Sequence, residues 1–162
     1  MDTIARYFAA ERAESLFFIA VGLIAATVGA VLLARRRTRF GVGLAVPLLA
    51  IAAIQLVVGT TVYLRSRHDI ARVQQALQTS RAQMVAAESP RMQQVVRDLG
   101  VYRWVEIGLL LAGAALFAIG ASASAWRGVG LGLALQSGLM LVLDFYAERR
   151  ADGYLRWLSA GS

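Results

Sequence analysis

Two acidic residues stand inside long apolar runs of the sequence, where a charge is costly unless it is paired or hydrated. Glu106 and Asp144 each lie near the end of such a run. Arg65, Arg67 and Arg103 are the expected partners, because a forked guanidinium group fits a carboxylate. The pattern predicts a collar of charges at one level, which either fixes helix register by ion pairing or serves an ion path, a proton path or a partner's polar group. Its predicted members are Glu14, Arg65, Arg67, Arg103, Glu106, Asp144 and Glu148.

Two glutamines lie deeper in the apolar runs than the collar. A glutamine amide facing lipid would be left without hydrogen-bond partners, so Gln55 and Gln136 are expected to face the interior of a helix bundle. We predict that they bond to each other, an interaction typically worth less than about 2 kcal/mol between membrane helices.

Residues suited to catalysis or metal binding are scarce. His68 is the single histidine, and the chain has no cysteine. There is no Glu-x-x-His motif of the di-metal helical proteins, no phosphate-binding glycine loop and no credible Ser-His-Asp set. We predict a protein that is not an enzyme and that carries no metal and no cofactor. The net charge of +7 favours arginines beside lipid phosphates over nucleic-acid binding.

Four apolar runs dominate the chain and must position these groups. Of the 162 residues, 58% are hydrophobic, against about 45–50% in soluble domains. The runs cover residues 15–34, 41–64, 105–125 and 129–146, and each approaches the roughly 20 residues that a helix needs to cross a bilayer. The length of the first run favours a retained span over a removable signal peptide. We predict one all-α integral membrane domain over residues 1–162, built as a four-helix bundle.

The polar stretch between the second and third runs shows helical periodicity. Apolar residues recur at helical spacing from Ile70 to Leu99, which predicts helices over 65–87 and 90–103. They form an extramembrane helical hairpin over about residues 65–104, turning near 87–89. Ser89 would cap its second helix and Pro90 would begin it. Short interfacial helices are expected at 1–14 and after Tyr146.

The side of the membrane that faces the cytoplasm stays open. The four spans put both termini and the hairpin on one side, with 12 of the 17 basic residues. Counting all short loops favours that side as cytoplasmic, whereas the four arginines crowded into residues 35–39 favour the opposite. The chain contains neither lysine nor asparagine, which indicates a GC-rich, bacterial genome and hence a bacterial inner membrane.

The size and plan of the whole chain resemble small bacterial inner-membrane proteins, among them immunity proteins that neutralise membrane-targeting toxins of neighbouring cells. The resemblance implies a non-catalytic interaction protein that binds another membrane protein or itself. A homo-oligomeric ion channel or small transporter is the alternative, with Glu106 and Asp144 lining a cation path. A membrane assembly or sensor role is the third reading.

Overall fold

Four long helices form the computed structural model, which describes residues 2–35 and 38–160 without the side chain of Asp2. They are α1 (Asp2–Arg35), α2 (Arg39–Thr79), α3 (Arg81–Ile119) and α4 (Ala125–Ser159). Each is long and apolar enough to cross a membrane. The predicted all-α fold of four such helices is confirmed.

Every helix is longer than a bilayer requires. The helices contain 34, 41, 39 and 35 residues, or roughly 50–60 Å at 1.5 Å per residue. We call residues 15–34, 41–64, 105–119 and 129–146 the membrane half. Residues 2–14, 65–104 and 147–160 form the second half, which we call the head.

The two short connections end and restart the helices with side-chain caps. The Oγ1 atom of Thr38 accepts a hydrogen bond from the Gly41 N–H at 3.1 Å and caps α2. The Ser124 Oγ atom does the same for the Arg127 N–H at 3.2 Å. The second connection therefore covers residues 120–124, so α3 ends before the predicted span limit of 125 and α4 begins before the predicted span start at 129. Arg36 and Arg37 lie outside the described residues.

The hairpin between α2 and α3 turns at Ser80, so the predicted turn near residues 87–89 is wrong. Ser80 has extended backbone angles (φ −166°, ψ 135°), and its N–H donates to the Ala76 carbonyl. Pro90 lies inside α3. A turn at Ser80 brings Val73 of α2 together with Met84 of α3 in one buried cluster, and this burial outweighs the local helix-start signal.

The terminal segments of α1 and α4 belong to the head core, where interfacial helices had been predicted. Residues 2–14 continue directly into the first span as α1, and α4 runs unbroken to Ser159. Their apolar side chains cover the stripe of the hairpin that would otherwise face water. The resulting core contains Ile4, Tyr7, Phe8, Val73, Met84, Met92, Ala151, Tyr154 and Leu158.

Glycines set the helix spacing in the membrane half. Parallel helices α2 and α4 contact each other in the middle, α1 packs on α2 and α3 packs on α4, while the backbones of α1 and α3 make no close approach in the described residues. A Cβ atom on Gly43 would collide with the Ala125 backbone, and one on Gly113 would lie 2.6 Å from the Ala134 nitrogen. Close backbone approach of this kind is how membrane helices pack at small residues.

Candidate functional site

A network of five charged side chains joins α2 to α3 in the head. Asp69 pairs with Arg65 at 3.2 Å and with Arg72 at 3.1 Å on its own helix. Glu88 pairs with Arg91, and across the hairpin with Arg72 at 3.5 Å. Arg91 also lies 3.7 Å from Asp69. Because Asp69 and Glu88 are buried, loss of either partner would leave an uncompensated charge in the head.

Arg91 is the most enclosed cation of this network, with 19% of its side chain exposed. Burial lowers the pKa of its guanidinium group, but the hydrogen bonds and charge of Glu88, with the charge of Asp69, outweigh burial and raise the pKa overall. The guanidinium carbon lies 6.0 Å from the centre of the Phe8 ring. The network therefore ties the hairpin to α1.

Two stacked tyrosines join the first and last helices in the head. The ring centres of Tyr7 and Tyr154 are 4.3 Å apart, with planes inclined by 14°. Burial, aided by the charge of Glu11, raises the pKa of Tyr7 to about 12. Burial also raises the pKa of Tyr154. Both hydroxyls are thus kept neutral well into the alkaline range.

Sequence reasoning missed most of this network, although a signal for it was present. Arg72 and Glu88 lie eight residues on either side of Ser80, and Asp69 and Arg91 lie eleven residues on either side. Opposite charges placed symmetrically about one residue can pair when a hairpin turns there, so the spacing favoured a turn at Ser80.

The predicted collar divides into separate partnerships. The Arg103 Nη1 atom donates to the two carboxylate oxygens of Glu148 at 2.9 Å and 2.6 Å, which joins α3 to α4. Glu14 on α1 pairs with Arg150 on α4. Sequence reasoning did not identify Arg150 as a member of this set.

Two of the predicted arginines do not pair with Glu106 or Asp144. Arg65 pairs with Asp69 in the head network. Arg67 is exposed. Arg12, which was not predicted, donates to the Tyr63 hydroxyl at 3.1 Å and so joins α1 to α2 at the same end of the spans.

Glu106 and Asp144 interact with each other between α3 and α4. Glu106 is only 4% exposed, whereas Asp144 is half-buried. Neither carboxylate oxygen of Glu106 has a hydrogen-bond donor within the described part of the chain. No ion pair among the described residues includes either acid, so the predicted arginine partners are wrong. Arg103 is engaged by Glu148 instead.

The predicted pair of membrane glutamines is confirmed. The Gln55 Nε2 atom donates to the Gln136 Oε1 atom at 3.5 Å, and both side chains are buried. Ser137, beside Gln136, is 1% exposed, and its hydroxyl has no partner among the described residues. The hydrogen bond between Gln55 and Gln136 joins α2 to α4.

A groove of about 520 Å³ opens sideways between α1 and α4, with α2 beneath it. Its lining includes Val21, Ala25, Leu44, Leu48 and Leu139. The lining is apolar apart from Gln136, and its apolar part matches the hydrocarbon of a bilayer.

No metal centre is formed in the described regions, since they contain no suitable group of three or more histidine, cysteine, aspartate or glutamate side chains. His68 is exposed. The expected absence of a catalytic site and of a cofactor stays a prediction.

No protein-family model, curated protein or solved structure matches this chain. Its class is therefore defined by its own fold, as an all-α protein with four helices of membrane-spanning length and character.

Proposed function

We propose that this protein is a non-catalytic interaction protein of a bacterial inner membrane, and that it binds another membrane protein through the outer face of α3. The observation that carries the proposal is that, within the membrane half, α3 is packed on one side only. Its inner face approaches α4 at Gly113. On its outer face Leu111 and Ile119 are 64% and 81% exposed.

The outer face of α3 is also shaped to receive a helix. A Cβ atom added to Gly108 would meet nothing within 4 Å. Ala112 and Ala115 are exposed on the same face, and small residues at this spacing let another membrane helix approach closely. The other flanking helix, α1, presents bulky exposed residues such as Phe17 and Ile24, which suit lipid better than close packing.

Immunity against a membrane-targeting toxin is the more specific form of this proposal. Such a protein requires a membrane-embedded surface that occupies the toxin, and it requires no catalytic site. The buried, mutually bonded Gln55 and Gln136 support an interaction role over conduction through a single copy, because such a pore would need a continuous polar lining.

Photo-crosslinking in native membranes tests the interaction. A photoreactive residue at Ala112, on the outer face of α3, is compared with the same residue at Ala20, which is exposed on α1. We expect a protein adduct from Ala112 and only lipid adducts from Ala20. An adduct of twice the chain mass would identify the partner as a second copy. The same lipid adducts at both positions would contradict the proposal.

A homo-oligomeric channel or small transporter is the second candidate, because Glu106 and Asp144 lack an arginine partner in the described structure. Ion flux into liposomes containing the purified protein distinguishes the two. Selective flux that is lost in the Glu106→Ala, Asp144→Ala double variant would favour the channel. An interaction protein is expected to give no flux in either form.

A further inference from the structure

We propose that Glu106 and Asp144 form a proton-binding site, in which the two carboxyl groups share one proton at neutral pH. This inference goes beyond the interaction role, because it assigns a ligand to a buried pair that helix packing alone does not explain. The site lies between α3 and α4, where the head meets the membrane half.

The burial of Glu106 is the first step of the argument. Its side chain is 4% exposed, and both of its carboxylate oxygens are enclosed without a hydrogen-bond donor in the described structure. An isolated buried carboxylate is far more costly than a hydrogen-bonded neutral acid. Among the described residues, the polar group that acts on Glu106 is the carboxyl group of Asp144, which supplies a donor only when a proton lies between them.

The surrounding charges do not replace that proton. Glu14 of α1 and Glu148 of α4 both act on Asp144 as further negative charges. Their own cations are engaged, Arg150 by Glu14 and Arg103 by Glu148. At this end of α2, the Tyr63 hydroxyl is held by Arg12. The four acids are therefore matched by two arginines, and Glu106 and Asp144 are the two left without a cation.

A proton fits this site better than larger ligands do. Two carboxylates facing each other cannot both ionise without strong repulsion, and one shared proton relieves it. The proton adds to one carboxylate oxygen, and the new O–H donates to the other carboxylate, so the charge of the pair changes from −2 to −1. The described residues supply no third acidic or histidine ligand for a metal ion, and the enclosure of Glu106 keeps out a partner's basic side chain. The half-buried Asp144 gives the proton its route from water.

Infrared spectroscopy of the purified full chain in lipid nanodiscs tests the proposal. A protonated carboxyl group has a carbonyl stretching band that an ionised one lacks. We expect one such group per chain at neutral pH and none in Glu106→Gln, where Asp144 can ionise beside an amide. In Asp144→Asn, the buried Glu106 keeps its proton and the band shifts in position. Asp98→Asn is the control, because Asp98 is bonded to Gln94 in the head, and the band should stay unchanged.

Two results would overturn the shared proton. One is the absence of a protonated carboxyl band at neutral pH in the intact protein. The other is a band that persists unchanged in Glu106→Gln. If Glu106→Gln does not fold, Asp144→Asn decides, since an unmoved band in that variant excludes sharing between the two groups. None of these readouts depends on whether the protein binds a partner through α3, so failure of one proposal leaves the other standing.

Discussion

In the head the four helices meet through large side chains, whereas in the membrane half they meet through small ones. Phe8 and Met92 belong to the head core, while Ala25 and Ala52, together with Leu48, form the core of the membrane half. In water, burial of a large apolar side chain drives association. Lipid gives no such drive, so membrane helices associate by close packing and a few hydrogen bonds. The same four helices thus change their packing chemistry from one half to the other.

Charges follow the same division. The head buries Asp69 and Glu88 and surrounds them with arginines. Deeper in the membrane half than Glu106 and Asp144, neutral amides make the corresponding contact, with Gln55 bonded to Gln136. The comparison indicates that the head is the part most sensitive to loss of a charge, and that the membrane half is the part most sensitive to added volume.

Removal of Glu88 should produce the largest effect. Glu88→Ala leaves Arg91 enclosed without its main partner, and breaking a buried ion pair in this way costs about 3–5 kcal/mol. Chemical unfolding in mild detergent, followed by circular dichroism, would measure the loss. Asp98→Ala, which removes only a contact with Gln94, is the control and should change stability by less than about 0.5 kcal/mol. Equal losses of stability in both variants would show that the head is not especially sensitive to loss of a buried charge.

Added volume should damage the membrane half next most severely. In Gly43→Ala the new methyl group meets the Ala125 backbone, and overpacking of this kind costs about 1–3 kcal/mol. Gly108→Ala is the matched control, since its methyl group enters open space. Unfolding of both variants in mixed detergent micelles would show the difference. A stable Gly43→Ala variant would mean that α2 and α4 separate more easily than their packing indicates.

The positions of the helices could be predicted from the sequence, but several of their ends could not. A long apolar run that enters lipid must be helical, because a helix satisfies its own backbone hydrogen bonds and an open extended chain does not. The turn at Ser80 depends instead on contacts between Val73, Met84 and the terminal helices. The local signals for a helix start favoured a turn at the Ser89-Pro90 pair. Such signals contain no information about burial by segments more than 60 residues away.

Membership was more predictable than pairing at the collar, whereas four of the five residues of the head network were missed. Position inside an apolar run identified Glu106 and Asp144, and the same reasoning paired Gln55 with Gln136. The choice of partner for Arg103 depends on helix rotation, which puts Glu148 within its reach. Periodicity alone does not fix the rotation of one helix against another, so the arginine was assigned to the wrong acids.

Loss of the glutamine pair should produce a smaller effect than either change above. Gln55→Leu removes the hydrogen bond to Gln136, and such bonds between membrane helices are worth less than about 2 kcal/mol. A double-mutant cycle with Gln136→Leu measures the coupling directly. Recovery of stability in the double variant is expected, because no unpaired amide then remains. Additive losses would show that the two side chains act independently.

The smallest effect at neutral pH is expected at the tyrosine stack. The pKa of Tyr7 is raised from 10.0 to about 12, so its contribution to stability is complete below about pH 10 and is lost as the pH rises through about 12. Tyr7→Phe should leave neutral stability nearly unchanged and should flatten the alkaline decline. Thermal unfolding across that range checks this, and an identical decline in the variant would assign the effect to Tyr154 or to other groups.

Ser80 is the one residue that separates α2 from α3. This short link also bears on how the molecule is assembled during synthesis. Residues 2–79 already contain α1 and α2, which pack against each other. To distinguish them from the head hairpin between α2 and α3, we call the α3–α4 pair the second hairpin and the α1–α2 pair the first hairpin. The first hairpin can close while α3 and α4 are still being translated. The second hairpin closes through its own contacts between α3 and α4, and the contact between α2 and α4 then joins the two. In its order of construction the protein is a covalent pair of hairpins, and the linker between them is one residue long.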